Sequence, residues 1–181
     1  TYRLDASDGT QFAAGLSQLA DCEGVALMAP DLPPVKLAIN ELVRSGVHVV
    51  TLFSDVAGSM RETHVGADNR AAGRTAGLLL ARMAAPGRDT LLLASQATRL
   101  SAEIDRRIGF AQVLEERFPK LQLLRLPDLP PGDDAAARAL TRFLKKGVDP
   151  ATVPGLYNVG SGSAGLARAL SAPGLAGLAR M

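Results

Sequence analysis

The stretch Pro33–Phe53, PPVKLAINELVRSGVHVVTLF, contains one complete helix-strand unit. Paired prolines suit a first helical turn, where the missing amide hydrogen has no partner to lose. Val35, Ala38, Ile39, Leu42 and Val43 then recur at three- and four-residue spacing and form one apolar stripe. Gly46 supplies the helix stop. Val47 to Phe53 follows as a β-branched, mostly apolar run, the pattern of a strand covered on both faces of a parallel sheet. His48 alternates with apolar neighbours there and reads as a core or sheet-edge histidine.

Outward from this unit the alternation repeats. Upstream, a short strand is expected at Tyr2–Leu4, polar turn residues at Asp5–Gly9, a helix at Thr10–Ala20 with Phe12, Leu16 and Leu19 on one face, and a strand at Gly24–Met28. Downstream, a loop from Ser54 to Thr63 leads to a strand at His64–Ala67 and a helix capped by Asp68 or Asn69 that ends before Pro86. Pro86 and Gly87 read as a joint. Strands are then expected at Leu91–Ser95, Leu121–Leu126 and Val153–Val159. Between them lie a helix from Ser101 to about Phe118 and one capped by Asp133 or Asp134 and stopped at Gly147. A last helix starts at Ser161 or Ser163 and fades near Pro173. Strand and helix in strict alternation mean α/β class, with repeated βαβ units and doubly wound parallel sheets.

Composition narrows the class. Of 181 residues, 47% are hydrophobic but only 4% aromatic, with no Trp, so the core is aliphatic. A net charge of +2 is too small a surplus to argue for nucleic-acid binding. After Asp149 no acid remains, while Arg168 and Arg180 follow, so that end is locally basic. The lone Cys22 has no internal disulfide partner and no nearby His, which fits a reducing compartment and argues against a catalytic thiol. No run approaches the roughly 18 apolar residues of a membrane span. No signal peptide is read, in a sequence that begins with Thr1.

In parallel α/β sheets, ligands sit beyond the carboxyl ends of the strands. The residues there are small and polar: Ser54 and Asp55 after Phe53; Asp68 and Asn69 after Ala67; Ser95, Gln96 and Thr98 after Ala94; Asn158, Gly160 and Ser161 around Val159. Carboxylates and amides of this kind suit the vicinal hydroxyls of a polyhydroxyl ligand. Taken singly, each is better explained as a helix cap; only their convergence at one sheet edge favours a ligand. Arg106, early in a helix after a strand end, is placed to turn its fork of donors toward ligand oxygens; Arg107 reads as solvated. Gly160–Gly165 matches G-x-G-x-x-G after a strand, yet no Asp or Glu follows to bind a ribose, so no dinucleotide cofactor is expected. His48 and His64 have no paired spacing, and no metal site is expected. No G-x-S-x-G, phosphate-loop or HExxH motif is present, and the chain reads as a non-enzyme.

The segment His64–Ala76, HVGADNRAAGRTA, resembles the V-G-x-D-N-x-x-A-G-x-x-A signature of the LacI/GalR repressors and their periplasmic sugar-binding relatives. Further segments agree in order: DCEGVALMAP (21–30), GVHVVTLFSD (46–55), RRIGF (106–110) and LYNVGSGSAGLARAL (156–170). The resemblance implies a type I periplasmic-binding-protein-like fold of two lobes, residues 1–87 and 88–181, with Pro86–Gly87 as a hinge. It also implies incompleteness at both ends: the family's first strand and helix, its last strands and a repressor's headpiece are absent. Carried over by position, Ser54, Asp55, Asp68, Arg106 and Asn158 become the ligand-binding residues. The "N-D" pair of the late strand reads Asn158-Val159-Gly160 instead.

The expected function is therefore effector sensing in a cytoplasmic, dimeric LacI-type transcriptional regulator. Its effector would be a sugar or sugar derivative, and operator DNA would be met only through a headpiece outside this chain. Arg70, Arg74 and Arg82 offer a face for the second subunit. The alternative is a periplasmic sugar-binding component of an importer; an enzyme using a nucleotide cofactor comes third.

Overall fold

The computed structural model describes residues 8–97, 99–171 and 179–180. The strand expected at Tyr2–Leu4, Thr98 and the fading end of the last helix lie outside them. The chain divides into two compact units, Thr1–Asn69 with Thr98–Ile104, and Arg70–Ala97 with Asp105–Met181.

The first unit contains α1 (Gly9–Ser17), β1 (Gly24–Leu27), α2 (Pro33–Arg44), β2 (His48–Leu52) and β3 (Thr63–Val65). Asp8 starts α1 by accepting from the amides of Thr10 and Gln11 at 2.9 and 3.2 Å. Helix α2 begins without a side-chain cap, Pro33 and Pro34 filling its first turn as the sequence predicts. The strands are parallel in the order β1-β2-β3, with Gly24 opposite His48 and Leu52 opposite Val65. Phe12 and Leu16 of α1, Val35, Ile39 and Leu42 of α2, and Leu27 and Val49 of the sheet form one buried cluster. His48 lies neither in a core nor at a sheet edge: it is exposed at the start of the central strand and hydrogen-bonded to Glu62, whose carboxylate raises its pKa.

The second unit contains most of α3 (Asn69–Met83), β4 (Thr90–Ala94), most of α4 (Ser101–Arg117), β5 (Gln122–Arg125), α5 (Asp133–Leu144), β6 (Gly155–Asn158), α6 (Ser163–Leu170) and β7 (Ala179–Arg180). Its sheet is parallel, in the order β5-β4-β6-β7. Every residue of β4 is buried. Leu91 and Leu93 join Leu80 of α3 with Phe110 and Leu114 of α4, while Leu92 and Ala94 join Leu140 of α5 with Leu166 and Leu170 of α6. Alternate side chains of one strand thus feed two separate cores, which is what a doubly wound sheet requires.

Local details depart from the sequence reading. Helix α5 is capped by Gly132 at φ 94° rather than by Asp133 or Asp134, both of which fall in its first turn. Strand β6 starts two residues late because Asp149 caps a 3₁₀ turn at Pro150–Thr152, accepting from the Ala151 amide at 2.9 Å. Arg74, expected on a free face, binds Glu116 with both guanidinium ends, and Arg70 stands 3.9 Å from Asp105. Two of the three arginines proposed for a subunit contact are therefore engaged within the chain.

Helices α3 and α4 meet through glycine. A Cβ on Gly73 would lie 2.1 Å from the Arg106 carbonyl oxygen, and one on Gly109 would lie 2.1 Å from that of Arg70. Backbone cannot yield as a flexible side chain does, so the helices would have to separate. Gly109→Ala is accordingly expected to cost about 2 kcal/mol or more, the cost of overpacking. Urea unfolding measures this, and an unchanged midpoint would refute the close crossing.

Candidate functional site

At the carboxyl edge of the first sheet, β2 ends in a buried polar network. Ser54 is almost fully buried, its hydroxyl 3.1 Å from that of Ser101. Ser101 accepts from the Asp55 amide at 3.0 Å and donates to the Asp55 carbonyl at 2.7 Å, so its proton is used and the Ser54 hydroxyl donates to it. Ser101, expected as a helix cap, instead fixes the loop after β2.

The Asp55 carboxylate receives the Arg61 guanidinium through two N–H groups, the Thr51 hydroxyl at 2.8 Å and the Val56 amide at 2.8 Å. The Arg61 hydrogen bonds, helped by Thr51, outweigh partial burial and hold its pKa down to about 2. Thr51 also lies 3.0 Å from His64 Nδ1. Beside this network, Phe53 adopts φ 61°. Its amide donates to the Val65 carbonyl at 2.9 Å, and its carbonyl accepts from Asn69 Nδ2 at 3.3 Å. Asn69 Nδ2 also donates to the Ala67 carbonyl at 3.2 Å.

Of the predicted site residues, Ser54 and Asp55 thus share one network in the first unit. Asp68 belongs to the same unit, exposed just after β3. Arg106 and Asn158 belong to the second unit. Arg106 is half-buried on α4. Asn158 closes the turn after β6: its amide nitrogen donates to the Gly160 and Ser161 carbonyls and to Ser163 Oγ, and its carbonyl accepts from the Gly160 amide. Arg107, read as solvated, reaches toward the Ser95 hydroxyl at 3.5 Å, at the end of β4.

Thr51, Arg61, His64 and Ser101 escaped the sequence reading as site residues. One signal was available: Thr51 alternates with Val49 on the inward side of β2, and a polar group there needs a partner. The glycine motif has a packing explanation. Gly162 caps α6 at φ 84°, and a Cβ on Gly165 would lie 1.8 Å from the Asp133 carbonyl oxygen. Among the described residues, no group of three or more His, Cys, Asp or Glu side chains could hold a metal ion. No helix among them is long and apolar enough to cross a membrane.

Parallel βαβ units with polar residues at the strand ends define an α/β protein of the class whose ligands sit beyond the carboxyl ends of the strands. The chain belongs to the family described as periplasmic binding protein domain, which it matches over residues 5–179. Membership of a binding-domain family agrees with the non-enzyme expectation. The fold is that of an ABC transporter solute binding protein from Burkholderia graminis, solved in complex with D-arabinose, at TM-score 0.86 and 16% identity, covering 99% of this chain and 63% of that one. A glucose-galactose binding protein from Geobacillus stearothermophilus aligns at TM-score 0.76 and 22% identity, covering 89% and 57%. A protein described as a LacI transcriptional regulator from Bacteroides fragilis aligns at TM-score 0.79 and 19% identity, covering 99% and 63%. This chain therefore spans less than two thirds of the length of these three structures. Comparison with curated proteins gives no match.

The Asp55 geometry sets a pH dependence. Its folded pKa, about 2, lies below the ordinary value of 3.8. Its stabilisation is therefore complete above pH about 4 and is lost as pH falls toward about 2, on the order of 2 kcal/mol in all. Asp55→Asn should remove that part of the acid transition while lowering stability at neutral pH. Equal acid profiles of wild type and variant, followed by circular dichroism, would disprove this role.

Proposed function

We propose that the chain binds a sugar or related polyhydroxyl ligand reversibly, at the carboxyl edges of its strands. The observation that carries this reading is the edge of the first sheet, where buried hydroxyls and one ionised carboxylate hold a loop rigid beside exposed Asp68. A preorganised polar edge is what binding without catalysis needs. The sugars named for the arabinose- and glucose-galactose-binding structures support the ligand class. Within this reading Asp68 contacts ligand oxygens at the edge of the first sheet, whereas Ser54 and Asp55 fix the loop after β2; in the second unit, Arg106 is the residue offered to ligand oxygens and Asn158 closes its own turn.

The finer reading is the effector domain of a LacI-type regulator, cytoplasmic and dimeric; the HVGADNRAAGRTA segment, shared in pattern by repressors and periplasmic relatives, and the likeness to the Bacteroides fragilis structure are compatible with it. The solute-binding likeness favours a second reading, the sugar-binding component of an importer, with equal force. The gene sequence upstream separates the two: a helix-turn-helix fits the first and a signal peptide the second.

D-Arabinose, D-galactose and L-rhamnose are the probes of choice in a thermal-shift test. A sugar at a hundredfold excess over its Kd adds about 2.7 kcal/mol of stability by mass action. Asp68→Asn should leave folding intact and weaken that sugar at least tenfold, about 1.4 kcal/mol; equal affinity would leave Asp68 outside the site. This chain alone is also expected not to retain duplex DNA sequence-specifically at physiological salt, because its net charge is only +2. A specific mobility shift would contradict that.

A further inference from the structure

We infer that the groove between α5 and α6 is a docking site for an acidic, amphipathic segment of a partner protein, with carboxylates along one side and aliphatic side chains along the other. The groove is a cavity of about 350 Å³. Its floor is Ala137 and Ala169, both half-buried, and its rim carries Arg138, Arg142 and Arg168. Thr141, which also lines it, donates its hydroxyl proton to the Ala137 carbonyl at 2.9 Å. The guanidinium groups are therefore the donors left to a visitor. Arg142 also borders a second cavity, of about 270 Å³, between α5 and residues 126–130. There Leu126, Leu129 and Phe143 supply apolar walls and Lys146 a further cation, beside Asp128.

Charge of one sign gathers here with little compensation. Every charged residue between Asp134 and Asp149 is basic, and no acid follows Asp149. Arg168 is held on Asp134, but Arg138 and Arg142 have no side-chain partner among the described residues. They stand four residues apart on one helix, a spacing at which like charges repel. A helix end favours cations, which accounts for Arg142 and Arg168 in the last turns of their helices but not for Arg138 a turn earlier. Nor does it account for two helices bringing their arginines to one apolar groove. A bound carboxylate accounts for both, because the paired N–H donors of a guanidinium match its two oxygens.

The floor and the outline narrow the visitor. A bare anion such as phosphate would engage the arginines and leave the alanine floor in water. A membrane surface needs exposed apolar side chains to insert, and none of the large exposed ones among the described residues lies on α5 or α6. A second copy docked about a twofold axis would set these arginines against their own counterparts. Two cavities that meet at Arg142 suit an elongated segment, its apolar side in the groove and its carboxylates along the rim. In a parallel sheet each helix runs back from the carboxyl end of one strand to the amino end of the next, so a partner at the last turns of α5 and α6 leaves the carboxyl edge open.

The test follows the fluorescence anisotropy of a labelled peptide built of Leu and Glu at helical spacing, titrated with the full-length protein. Wild type should bind it about tenfold or more tighter than a Leu and Lys peptide, or a Ser and Glu peptide, of the same pattern. Arg138→Gln combined with Arg142→Gln should weaken it by about tenfold or more at an unchanged Tm. Ala169→Leu, which fills the floor and keeps every charge, should weaken it too. Lys120→Gln, at an exposed cation between α4 and β5, should leave it as it is. Equal binding of the Ser and Glu peptide would reduce the groove to unselective charge attraction and overturn the proposal. Phosphatidylglycerol vesicles bound by wild type and released by the double variant would make the face a membrane surface instead. A dimer dissociated by the double variant would make the occupant a second copy, which overturns the proposal equally. A sharp fall in the Tm of the double variant would make the arginines structural and refute docking, as would failure of wild type to bind the Leu and Glu peptide.

Discussion

Everything in the second unit answers to one demand, that of β4. Its five residues are buried, and four of them, Leu91 to Ala94, are apolar. A strand offers its side chains to both faces in turn, so neither face can be left to water. Burying a leucine is worth about 1.5–3 kcal/mol, and the strand spends this on two separate cores. One core needs α3 and α4 together, the other α5 and α6. Each helix pair in turn depends on glycine where backbones touch: Gly73 and Gly109 in the first, Gly165 in the second. Leu91–Leu93 and the glycines are thus one requirement expressed in two places.

The first unit is organised differently where it prepares for a ligand. Its central strand carries buried Thr51 among apolar neighbours, and the loop beyond it is fixed by side chains from three elements: Thr51 on β2, Arg61 before β3 and Ser101 at the start of α4. Rigidity obtained this way keeps the Asp55 carboxylate ionised and fully engaged. Phe53, Met28 and Val65 lie exposed at that same edge.

The parallel α/β architecture was legible because periodicity and punctuation agreed. Pro33–Arg44 starts and stops where its prolines and Gly46 say, and β4 reads as a two-sided strand from its leucines alone. Membership of the periplasmic-binding-protein family was legible in the segments around His64–Ala76 and Gly46–Asp55, whereas the narrower LacI/GalR resemblance stays a proposal. The site was less so, since Ser and Asp serve caps, turns and ligands with the same atoms. Ser101 looked like a cap and is a loop anchor, while Asp133 looked like a cap and instead accepts from the Gly165 amide at 3.1 Å. Arg61 and His64 depend on partners six and thirteen residues away, beyond the reach of local pattern. The positive φ of Phe53 has no sequence signature, because glycine, its usual marker, is absent.

The bond from Thr51 to Asp55 also has a direction. An ionised carboxylate can only accept, so the single threonine proton is committed to Asp55 Oδ1. Toward His64 the same oxygen has only lone pairs left, and His64 Nδ1, 3.0 Å away, must carry the hydrogen between them. In the neutral ring Nε2 is then bare. Gly66 lies against it, where a Cβ would come within 2.5 Å. One threonine thus fixes the tautomer of a histidine through a chain of protons that all point the same way. The far end of that chain is Nε2, beside which only a residue without a Cβ fits, so Thr51, His64 and Gly66 constrain one another across two strands.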